Sequence, residues 1–234
     1  MFMKNLYFIL FLVFTSFFIT SCKKKKEAEL WKLPVDVTFI MDINHTSTMN
    51  NNLSFTGGYI VLSEFEFDGQ RIEGDDAYFS KSFSGGISIP FSVSMGVPEL
   101  NFDIPQGTYT KITILFEAEG NGGKSVVVNG NYTNSSGTTY PLVLEVEALE
   151  LYTVIAKNAS GSSEIILDKD VASIAKIKLD PIYWFQNVST AMLDNATLDN
   201  LIGVQTILIN DDNNEDIYDI VDDQIDKGTD IIFD

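Results

Sequence analysis

Apolar and polar residues alternate with a period of two through much of this 234-residue chain, and this pattern restricts its fold more than any other feature. In residues 35–43 the alternation places five apolar side chains on one face, namely Val35, Val37, Phe39, Met41 and Ile43. Because successive side chains of a β-strand point to opposite faces, this segment is predicted to be a half-buried strand.

Similar segments follow at short intervals and are separated by turns rich in glycine, proline and asparagine. The predicted strands cover residues 59–68, 78–83, 87–93, 100–104, 112–119, 125–132, 140–148, 149–156, 164–167 and 171–179. Residues 120–123, Gly-Asn-Gly-Gly, are predicted to close a hairpin between two of these strands. About ten short strands at this spacing predict a mainly β fold, an antiparallel β-sandwich over residues 33–180.

The pattern changes after Asp180-Pro181, which is the best candidate for a domain boundary. Residues 189–201 contain a possible short helix, residues 204–209 a strand and residues 231–233 a final edge strand. Between these strands apolar residues recur at helical spacing: Ile217, Ile220, Val221 and Ile225. This spacing predicts one amphipathic helix over about residues 214–227, capped by Asn213 or Asn214. Residues 181–234 are therefore predicted to be a short α/β extension packed on the sandwich.

The charge is strongly negative and unevenly distributed. The whole chain carries −18, but Lys4 and the run Lys23–Lys26 supply five of its fifteen cations. Residues 27–234 therefore hold 10 cations against 33 acidic residues, a net charge of −23. Nucleic-acid affinity comes largely from neutralised phosphates, so such a body is not expected to bind nucleic acid. The negative charge has two interpretations. A high net charge keeps an exposed protein soluble, and the alternative is that the acidic residues bind cations.

An unbroken apolar run over residues 6–14 follows Lys4 and passes through residues 15–18 into Ile19-Thr20-Ser21-Cys22. The run is too short to span a hydrocarbon core of about 30 Å as a helix. The last four residues resemble the lipobox of bacterial lipoproteins. The resemblance implies a signal peptide over residues 1–21, cleavage between Ser21 and Cys22, and a membrane anchor of N-acyl diacylglycerol, including palmitate, on Cys22.

The same resemblance makes residues 22–32 a lipidated tether. Lys23 follows the cysteine where inner-membrane lipoproteins carry aspartate, so the family's sorting rule implies the outer membrane of a Gram-negative bacterium, in either leaflet. Eleven extended residues reach at most about 35–40 Å, which keeps the folded body close to the membrane. Cys22 is the only cysteine, so its acylation leaves no thiol for a disulfide, a nucleophile or a zinc site.

Three predicted strands each carry two glutamates at positions i and i+2, which a strand places on one face: Glu64/Glu66, Glu117/Glu119 and Glu145/Glu147. One interpretation is a glycosidase-like pair of carboxylates acting on a polysaccharide. The alternative is the solvated face of a half-exposed sheet. Apposed pairs on neighbouring strands would repel one another, so we expect them to lie apart or to be bridged by lysine or a cation.

Residues 210–216 form the densest cluster of oxygen ligands, and a calcium site there would use Asp211, Asp212, Asn214 and Asp216. The cluster lacks the glycine and glutamate spacing of an EF-hand. Acidic residues are also favoured at a helix N-terminus, so the alternative interpretation is that this cluster caps the following helix. No other metal and no cofactor is expected.

Tyr183 and Trp184 follow Pro181 and are a possible carbohydrate contact if they are exposed; if buried, they would close one end of the sandwich. His45 is the only histidine, and a Ser-His-Asp triad would have to use it. No nucleophile elbow accompanies any serine in the sequence, so nucleophilic catalysis is not expected.

Residues 102–114 contain Pro105, Gly107 and Tyr109 in a Pro-x-Gly-x-Tyr pattern. Pro105 stiffens a turn, Gly107 permits an unusual backbone conformation, and Tyr109 can point inward as the next strand begins. The pattern resembles the turn of transthyretin-like and fimbrillin-like sandwiches, and the resemblance covers about residues 33–180. It implies a transthyretin- or Ig-like fold and an envelope location, and it carries no catalytic residue.

Together these features predict a lipid-anchored lipoprotein of the cell envelope that acts as a binding or structural module rather than as an enzyme. Two alternatives stay open. One is a fimbrial or adhesin-type subunit that assembles by strand addition. The other is a polysaccharide-acting surface enzyme that uses the paired glutamates. The protein or glycan partner and the oligomeric state are not indicated by the sequence.

Overall fold

The fold is taken from a computed structural model that describes residues 30–91 and 96–234. Cys22, Ser21 and most of the predicted tether lie outside the described residues, so the lipidation and cleavage predictions stay predictions. The mainly β fold with a short C-terminal helix and strand tail is confirmed. Within the described ranges, no helix is long and apolar enough to cross a membrane.

The secondary structure consists of fifteen strands and three short helices in the described part. The strands are β1 (Pro34–Ile43), β2 (Ser47–Thr48), β3 (Leu53–Arg71), β4 (Ala77–Pro90), β5 (Asn101–Pro105), β6 (Gly107–Ala118), β7 (Val126–Thr133), β8 (Thr139–Val146), β9 (Glu150–Ile155), β10 (Lys157–Asn158), β11 (Ile165–Leu167), β12 (Ser173–Leu179), β13 (Leu198–Leu201), β14 (Val204–Ile209) and β15 (Asp230–Phe233). The helices are α1 (Pro181–Trp184), α2 (Thr190–Asp194) and α3 (Glu215–Asp222). Short 3-10 turns cover Pro98–Leu100 and Phe185–Asn187.

The smaller sheet has the strand order β10-β15-β12-β1-β5. The five alternating residues of β1 are all at most 1% exposed, as the period-two pattern predicts: Val35, Val37, Phe39, Met41 and Ile43. β1 pairs in parallel with β12 and antiparallel with β5. Parallel pairs also join β10 to β15 and β14 to β8, so both sheets are mixed and the pairing is not antiparallel throughout, as it was predicted to be.

The larger sheet is organised around β3, whose nineteen residues exceed the predicted strand at both ends. Its main order is β11-β6-β3-β7-β8-β14-β13, with β2 and β4 also paired to β3 and β9 paired to β6. β6 pairs with residues 62–71 of β3, and β7 pairs with residues 53–60. β6 and β7 therefore lie end to end along one edge of β3, and β4 occupies the other edge.

The predicted hairpin at residues 120–123 is wrong, because β6 and β7 run in the same direction and pair with β3. Val61 of β3 contacts both ends of the intervening loop. Its N–H donates to the Ser125 carbonyl at 2.8 Å, and its carbonyl accepts from the Glu119 N–H at 3.0 Å. The glycine-rich segment is thus a loop that interrupts one long strand formed by β6 and β7. Within this loop the Gly123 N–H donates to the Gly120 carbonyl at 2.9 Å.

The core between the sheets is rich in aromatic side chains. Phe39 of the smaller sheet meets Phe65 of the larger sheet edge-on at 4.9 Å between ring centroids, and Phe65 stacks on Phe102 at 5.2 Å. Phe116 and Tyr152 stack at 4.5 Å. These centroid distances fall in the favourable range for aromatic pairs, so the rings fix the two sheets against each other as well as burying apolar area.

The C-terminal extension contributes strands to both sheets. β15 lies between β10 and β12 in the smaller sheet, and β14 pairs with β8 in the larger one. The predicted helix ends earlier than expected, since α3 covers Glu215–Asp222. Asn214 occupies the N-cap position in the left-handed conformation, but its side chain makes no capping hydrogen bond. Residues 181–234 are therefore built into the sheets by hydrogen bonding and not merely packed on their surface.

The Pro-x-Gly-x-Tyr turn has the predicted geometry. Tyr109 is fully buried, and its hydroxyl donates to the Pro105 carbonyl at 2.7 Å. Burial raises the pKa of Tyr109 to about 12, partly offset by the charge of Arg71. Gly107 has a φ of +148°, and a Cβ there would lie 3.3 Å from the Arg71 side chain.

The point where the N-terminal segment enters the sandwich is fixed by hydrogen bonds. Arg71 Nη1 donates to the carbonyls of Trp31 at 2.7 Å and Gln106 at 3.0 Å. The side-chain amide of Gln106 donates to the Leu30 carbonyl at 2.7 Å, and the backbone N–H of Gln106 donates to the Leu33 carbonyl at 2.8 Å. The predicted tether therefore starts from one defined end of the larger sheet.

Candidate functional site

Two of the three glutamate pairs lie on neighbouring strands of the larger sheet, and one glutamate of each pair faces the other on its outer side. β3 and β6 are direct neighbours, and Glu64 lies opposite Glu117 in their register. The alternating residues Phe65 and Phe116 are fully buried, so the glutamates occupy the opposite, solvent-facing side. Residues directly opposite in an antiparallel pair have Cα atoms about 4.5–5.5 Å apart. Glu64 and Glu117 therefore do not lie apart, and of the arrangements expected for apposed glutamates only bridging by a lysine or a cation applies to them.

The apposed glutamates have no cationic partner within 4 Å among residues 30–91 and 96–234. A bulge in β3 at Ser63 offers a partial compensation, because the Ser63 hydroxyl donates to Glu117 Oε1 at 2.7 Å. Like charges directly opposite one another destabilise a sheet. We name the outward-facing carboxylates Glu64, Glu66, Glu117 and Glu119 the acidic stripe.

The third pair is bridged by lysine, which is one of the two arrangements expected for glutamates that lie close together. Lys124 Nζ lies 3.1 Å from Glu145 and also forms an ion pair with Glu147. The hydrogen bond with Glu147 raises the pKa of Lys124. Glu145 also accepts a hydrogen bond from the Asn210 side chain at 3.1 Å. This pair is thus neutralised locally and differs from the acidic stripe.

An edge strand, β9, which is paired on one side only, lies next to the acidic stripe. β9 pairs only with β6 within the described part of the chain, and Leu151 lies opposite Glu117. Its outward side chains are Leu151, Thr153 and Ile155, of which Leu151 is 52% and Ile155 49% exposed. The inward Tyr152 between them is fully buried. The edge therefore presents two exposed apolar side chains, Leu151 and Ile155, with Thr153 between them, and Leu151 lies opposite the carboxylate of Glu117.

The backbone of β9 is also available on its outer side. The Ala156 N–H donates to the Ile112 carbonyl at 2.9 Å, and Ile155 lies opposite Thr113. In an antiparallel ladder this arrangement directs the N–H and C=O groups of Ile155, and hence of Thr153 and Leu151, away from β6. A row of such groups is a template for pairing with another strand.

The other long free edge, that of β4, carries features that discourage pairing. Gly85 and Gly86, with φ of +80° and +75°, interrupt its register with β3 between Ser82 and Ile87. Lys81 lies within this edge strand and Pro90 ends it. Bulges, lysine and proline are the usual means of protecting a sheet edge, and β9 has none of them between residues 150 and 155.

The predicted calcium loop is held by its own hydrogen bonds. The Asn210 side chain is buried and accepts from the N–H groups of Asp212 at 3.1 Å and Asn213 at 2.8 Å. Asn214 donates to the carbonyls of Thr197 at 3.0 Å and Leu208 at 2.7 Å. The side-chain amide of Asn214 is thus occupied by the protein. Among the residues that the structure describes, no three His, Cys, Asp or Glu side chains are grouped to hold a metal ion.

An open groove of about 420 Å³ lies between α2 and the start of α3. Its lining is Ala191, Met192, Asn195, Ala196, Thr197, Asn214, Asp216 and Ile217. Two residues of the predicted calcium loop, Asn214 and Asp216, thus face a shared groove, whereas Asp211 and Asp212 do not line it. None of the glutamates of the acidic stripe lines this groove.

The two candidate sugar-binding aromatics are separated by the fold. Trp184 is 0% exposed, and its indole N–H donates to the Lys227 carbonyl at 2.9 Å. The prediction of a carbohydrate contact is therefore wrong for Trp184, because its ring is part of the core. Tyr183 is 38% exposed and packs on Gly228, where a Cβ would lie 2.9 Å from the tyrosine ring.

His45 lies in the loop after β1, and its Nε2 is 2.9 Å from Asp42 Oδ1. The side chains that hydrogen-bond His45 in the described structure include no serine hydroxyl.

The sequence did not point to the edge of β9, because an alternating apolar strand gives the same pattern at an edge as in the middle of a sheet. Comparisons of the chain with protein-family models, with curated proteins and with solved structures find no match.

Proposed function

We propose that this protein is a lipid-anchored lipoprotein of the bacterial outer membrane that binds an extended, cationic protein segment by strand addition at β9. The observation that carries the proposal is the unprotected edge of β9, where exposed Leu151 and Ile155 share one face and Leu151 lies opposite Glu117. Among the residues that the structure describes, Glu117 and the apposed Glu64 have no cationic side chain within 4 Å. The lipobox supplies the anchor, and the sandwich supplies the binding surface.

The chemistry of the partner follows from the surface. Strand addition provides main-chain hydrogen bonds to Leu151, Thr153 and Ile155, and the side chains of the added strand alternate between two faces. On the outer face these side chains meet the β9 residues and, one strand further, the acidic stripe. Lysine or arginine there would relieve the repulsion between Glu64 and Glu117, which favours a basic segment over an acidic one.

The same edge is compatible with the two alternatives from the sequence. A fimbrial subunit would use it to bind another copy of this chain, but a body of −23 disfavours close contact between copies. A polysaccharide-acting enzyme would need the glutamates in a groove around one sugar. Three open grooves of about 300–420 Å³ in the described part of the chain are lined by residues other than these glutamates.

Binding can be tested with a fluorescent peptide of alternating lysine and valine and with a matched peptide of glutamate and valine. The full chain, extracted in detergent, is expected to bind the lysine peptide and not the glutamate peptide in fluorescence anisotropy. Thr153→Pro should weaken this binding at least about tenfold, because proline removes an outward N–H without removing a bond to β6. The substitution leaves the net charge unchanged, so non-specific attraction is controlled.

The matched control is Ser88→Pro on the β4 edge. Ser88 is two residues before Pro90 and directs its backbone to the same outward side. This variant should bind the lysine peptide as the unchanged protein does. Equal binding by Thr153→Pro, or equal binding of both peptides, would contradict the proposal. Polymers of the extracted protein that Thr153→Pro dissolves would favour the fimbrial alternative.

Anchoring has its own test. Cys22→Ser should move the protein from the membrane fraction to the soluble fraction, because one acylation site provides all of the proposed anchor. A single acyl chain gives only marginal membrane binding, so firm anchoring depends on the several chains that the lipoprotein family carries. Membrane fractionation with thermal unfolding of the released protein checks both location and folding. A Cys22→Ser protein that stays in the membrane would contradict the anchor.

A further inference from the structure

Exposed apolar side chains surround the point where the chain enters the sandwich. Leu30 is 49%, Ile72 59% and Ile166 70% exposed, and Trp31, next to Leu30, is half-buried. Single exposed apolar residues are ordinary on a protein surface, whereas a contiguous group of them marks an interaction site. We name Leu30, Trp31, Ile72 and Ile166 the entry patch.

Three residues of the entry patch meet at Thr108 of β6. Ile166 of β11 lies opposite Thr108 in the register, so their side chains share the outer face of the larger sheet. On the other side of β6, the Ile72 N–H donates to the Thr108 carbonyl at 2.9 Å. Trp31, Thr108 and Ile166 line one open groove of about 310 Å³. These contacts make the patch contiguous.

Hydrogen bonds hold Leu30 and Trp31 in place on the patch. Arg71 Nη1 donates to the Trp31 carbonyl at 2.7 Å, and the side-chain amide of Gln106 donates to the Leu30 carbonyl at 2.7 Å. Gly74, in the loop after β3, packs closely on Trp31. It has a φ of +79°, and a Cβ there would lie 3.0 Å from the Trp31 Cβ. The fold therefore fixes both the patch and the direction from which the chain reaches it.

The proposed anchor lies within a short reach of the entry patch. Cys22 is eight residues before Leu30 and lies outside the described residues. Eight extended residues span at most about 29 Å. A tethered surface meets its partner at a high effective concentration, so weak apolar contacts are enough for binding. Tryptophan beside apolar residues is also typical of surfaces that lie at the level of the lipid headgroups.

The charge around the entry patch indicates which lipid surface fits it. The surrounding segments, residues 30–33, 71–76 and 168–171, hold three cations and five carboxylates. Their net charge of −2 provides no attraction to anionic headgroups, which recruit clusters of lysine and arginine. Apolar contact with zwitterionic lipid is therefore the interaction that this surface favours.

We infer that the entry patch docks on a zwitterionic bilayer and seats the sandwich on the membrane that holds its anchor. Trp31 then lies among the headgroups, and Ile72 and Ile166 reach the boundary of the acyl chains. Docking rests on the proposed lipid anchor, which supplies the effective concentration. β11 pairs with residues 107–109 of β6 and β9 with residues 113–118, so docking leaves the edge of β9 accessible.

The experiment measures quenching of Trp31 fluorescence in the lipidated full chain, reconstituted in phosphatidylcholine vesicles. The acyl chains are brominated near their headgroup ends, and bromine quenches the rings that contact the lipid. Trp184 is the only other tryptophan and is fully buried, so the difference between the protein and Trp31→Phe gives the signal of Trp31. We expect this signal to be at least about twofold lower than in unbrominated vesicles.

The double variant Ile72→Ser, Ile166→Ser removes apolar contacts and keeps the tether. Both side chains are more than half exposed, so the variant should keep its urea midpoint. It should still float with the vesicles in a density gradient but lose most of the quenching of Trp31. If the double variant does not fold, Ile166→Ser alone serves, and it should lose part of the quenching.

The matched control is Ile202→Ser at the opposite end of the larger sheet. Ile202 is fully exposed and lies in the turn between β13 and β14. Through β8 and β7, Ile207 of β14 is in register with Phe55, so this turn lies near the start of β3, whereas the entry patch lies near its end. This variant should be quenched as the unchanged protein is.

The outcomes separate docking from anchoring. A full chain that floats with the vesicles while Trp31 is not quenched overturns docking and leaves the anchor intact. Quenching that persists in the isoleucine variants also overturns docking, because it would reflect the short tether alone. A full chain that does not float with the vesicles contradicts the anchor and docking together.

Discussion

Replacing Gly58 with alanine is expected to lower the free energy of unfolding by at least about 3 kcal/mol. Gly58 has a φ of +136°, which side chains rarely adopt, and a Cβ there would lie 1.9 Å from the Val127 carbonyl oxygen. The alanine would have to push β7 away from β3, which breaks the continuous edge on which β6 and β7 lie. Urea denaturation followed by circular dichroism measures the loss.

Gly57→Ala is the matched control, since a Cβ at Gly57 meets nothing within 4 Å. Gly57 also has a positive φ, +159°, so both variants place alanine in a backbone conformation that side chains rarely adopt, and only Gly58→Ala adds the clash with Val127. We expect its urea midpoint to lie much closer to that of the unchanged protein. Equal midpoints for Gly58→Ala and the unchanged protein would show that β7 does not approach β3 at this point.

Trp184→Ala is expected to lower the free energy of unfolding by about 3–5 kcal/mol. The side chain is fully buried between the sandwich and the C-terminal segment, and its removal leaves a large cavity and an unpaired Lys227 carbonyl. Because the extension supplies strands to both sheets, we expect one cooperative transition at a lower urea concentration. Fluorescence cannot follow this variant well, so circular dichroism is the appropriate measurement.

The variant Tyr183→Ala, at the adjacent residue, tests whether the loss of stability depends on the burial of the side chain and not on its position in the chain. Tyr183 is partly exposed, and its loss is expected to cost only about 1 kcal/mol. Similar losses for the two variants would contradict the assignment of Trp184 to the core. Two separate transitions in Trp184→Ala would instead show that residues 181–234 fold as an independent unit.

The sequence predicts individual strands well and their partners poorly. Period-two alternation identifies β1 and its buried face, because burial of one face is a local property of a strand. The pairing of β1 with β12 in parallel depends on residues more than 130 positions apart, which no local pattern encodes. The loop at residues 120–123 has the composition of a hairpin, yet β3 is long enough to pair with both flanking strands.

The candidate site was predictable to a similar degree. The spacing of Glu64/Glu66 and Glu117/Glu119 places each pair on one face, but only the sheet order makes the strands neighbours. Trp184 and Tyr183 are adjacent in sequence, and their different exposure depends on the packing of the C-terminal segment. Nothing local distinguishes β9 as an edge strand.

The most direct test of the central claim is amide hydrogen exchange at Leu151, Thr153 and Ile155 with and without the lysine–valine peptide. These N–H groups point away from β6, so they should exchange quickly in the free protein. Strand addition predicts that the peptide slows their exchange at least about tenfold, with no change on the β4 edge. Peptide binding that leaves these three amides unprotected would contradict strand addition at β9.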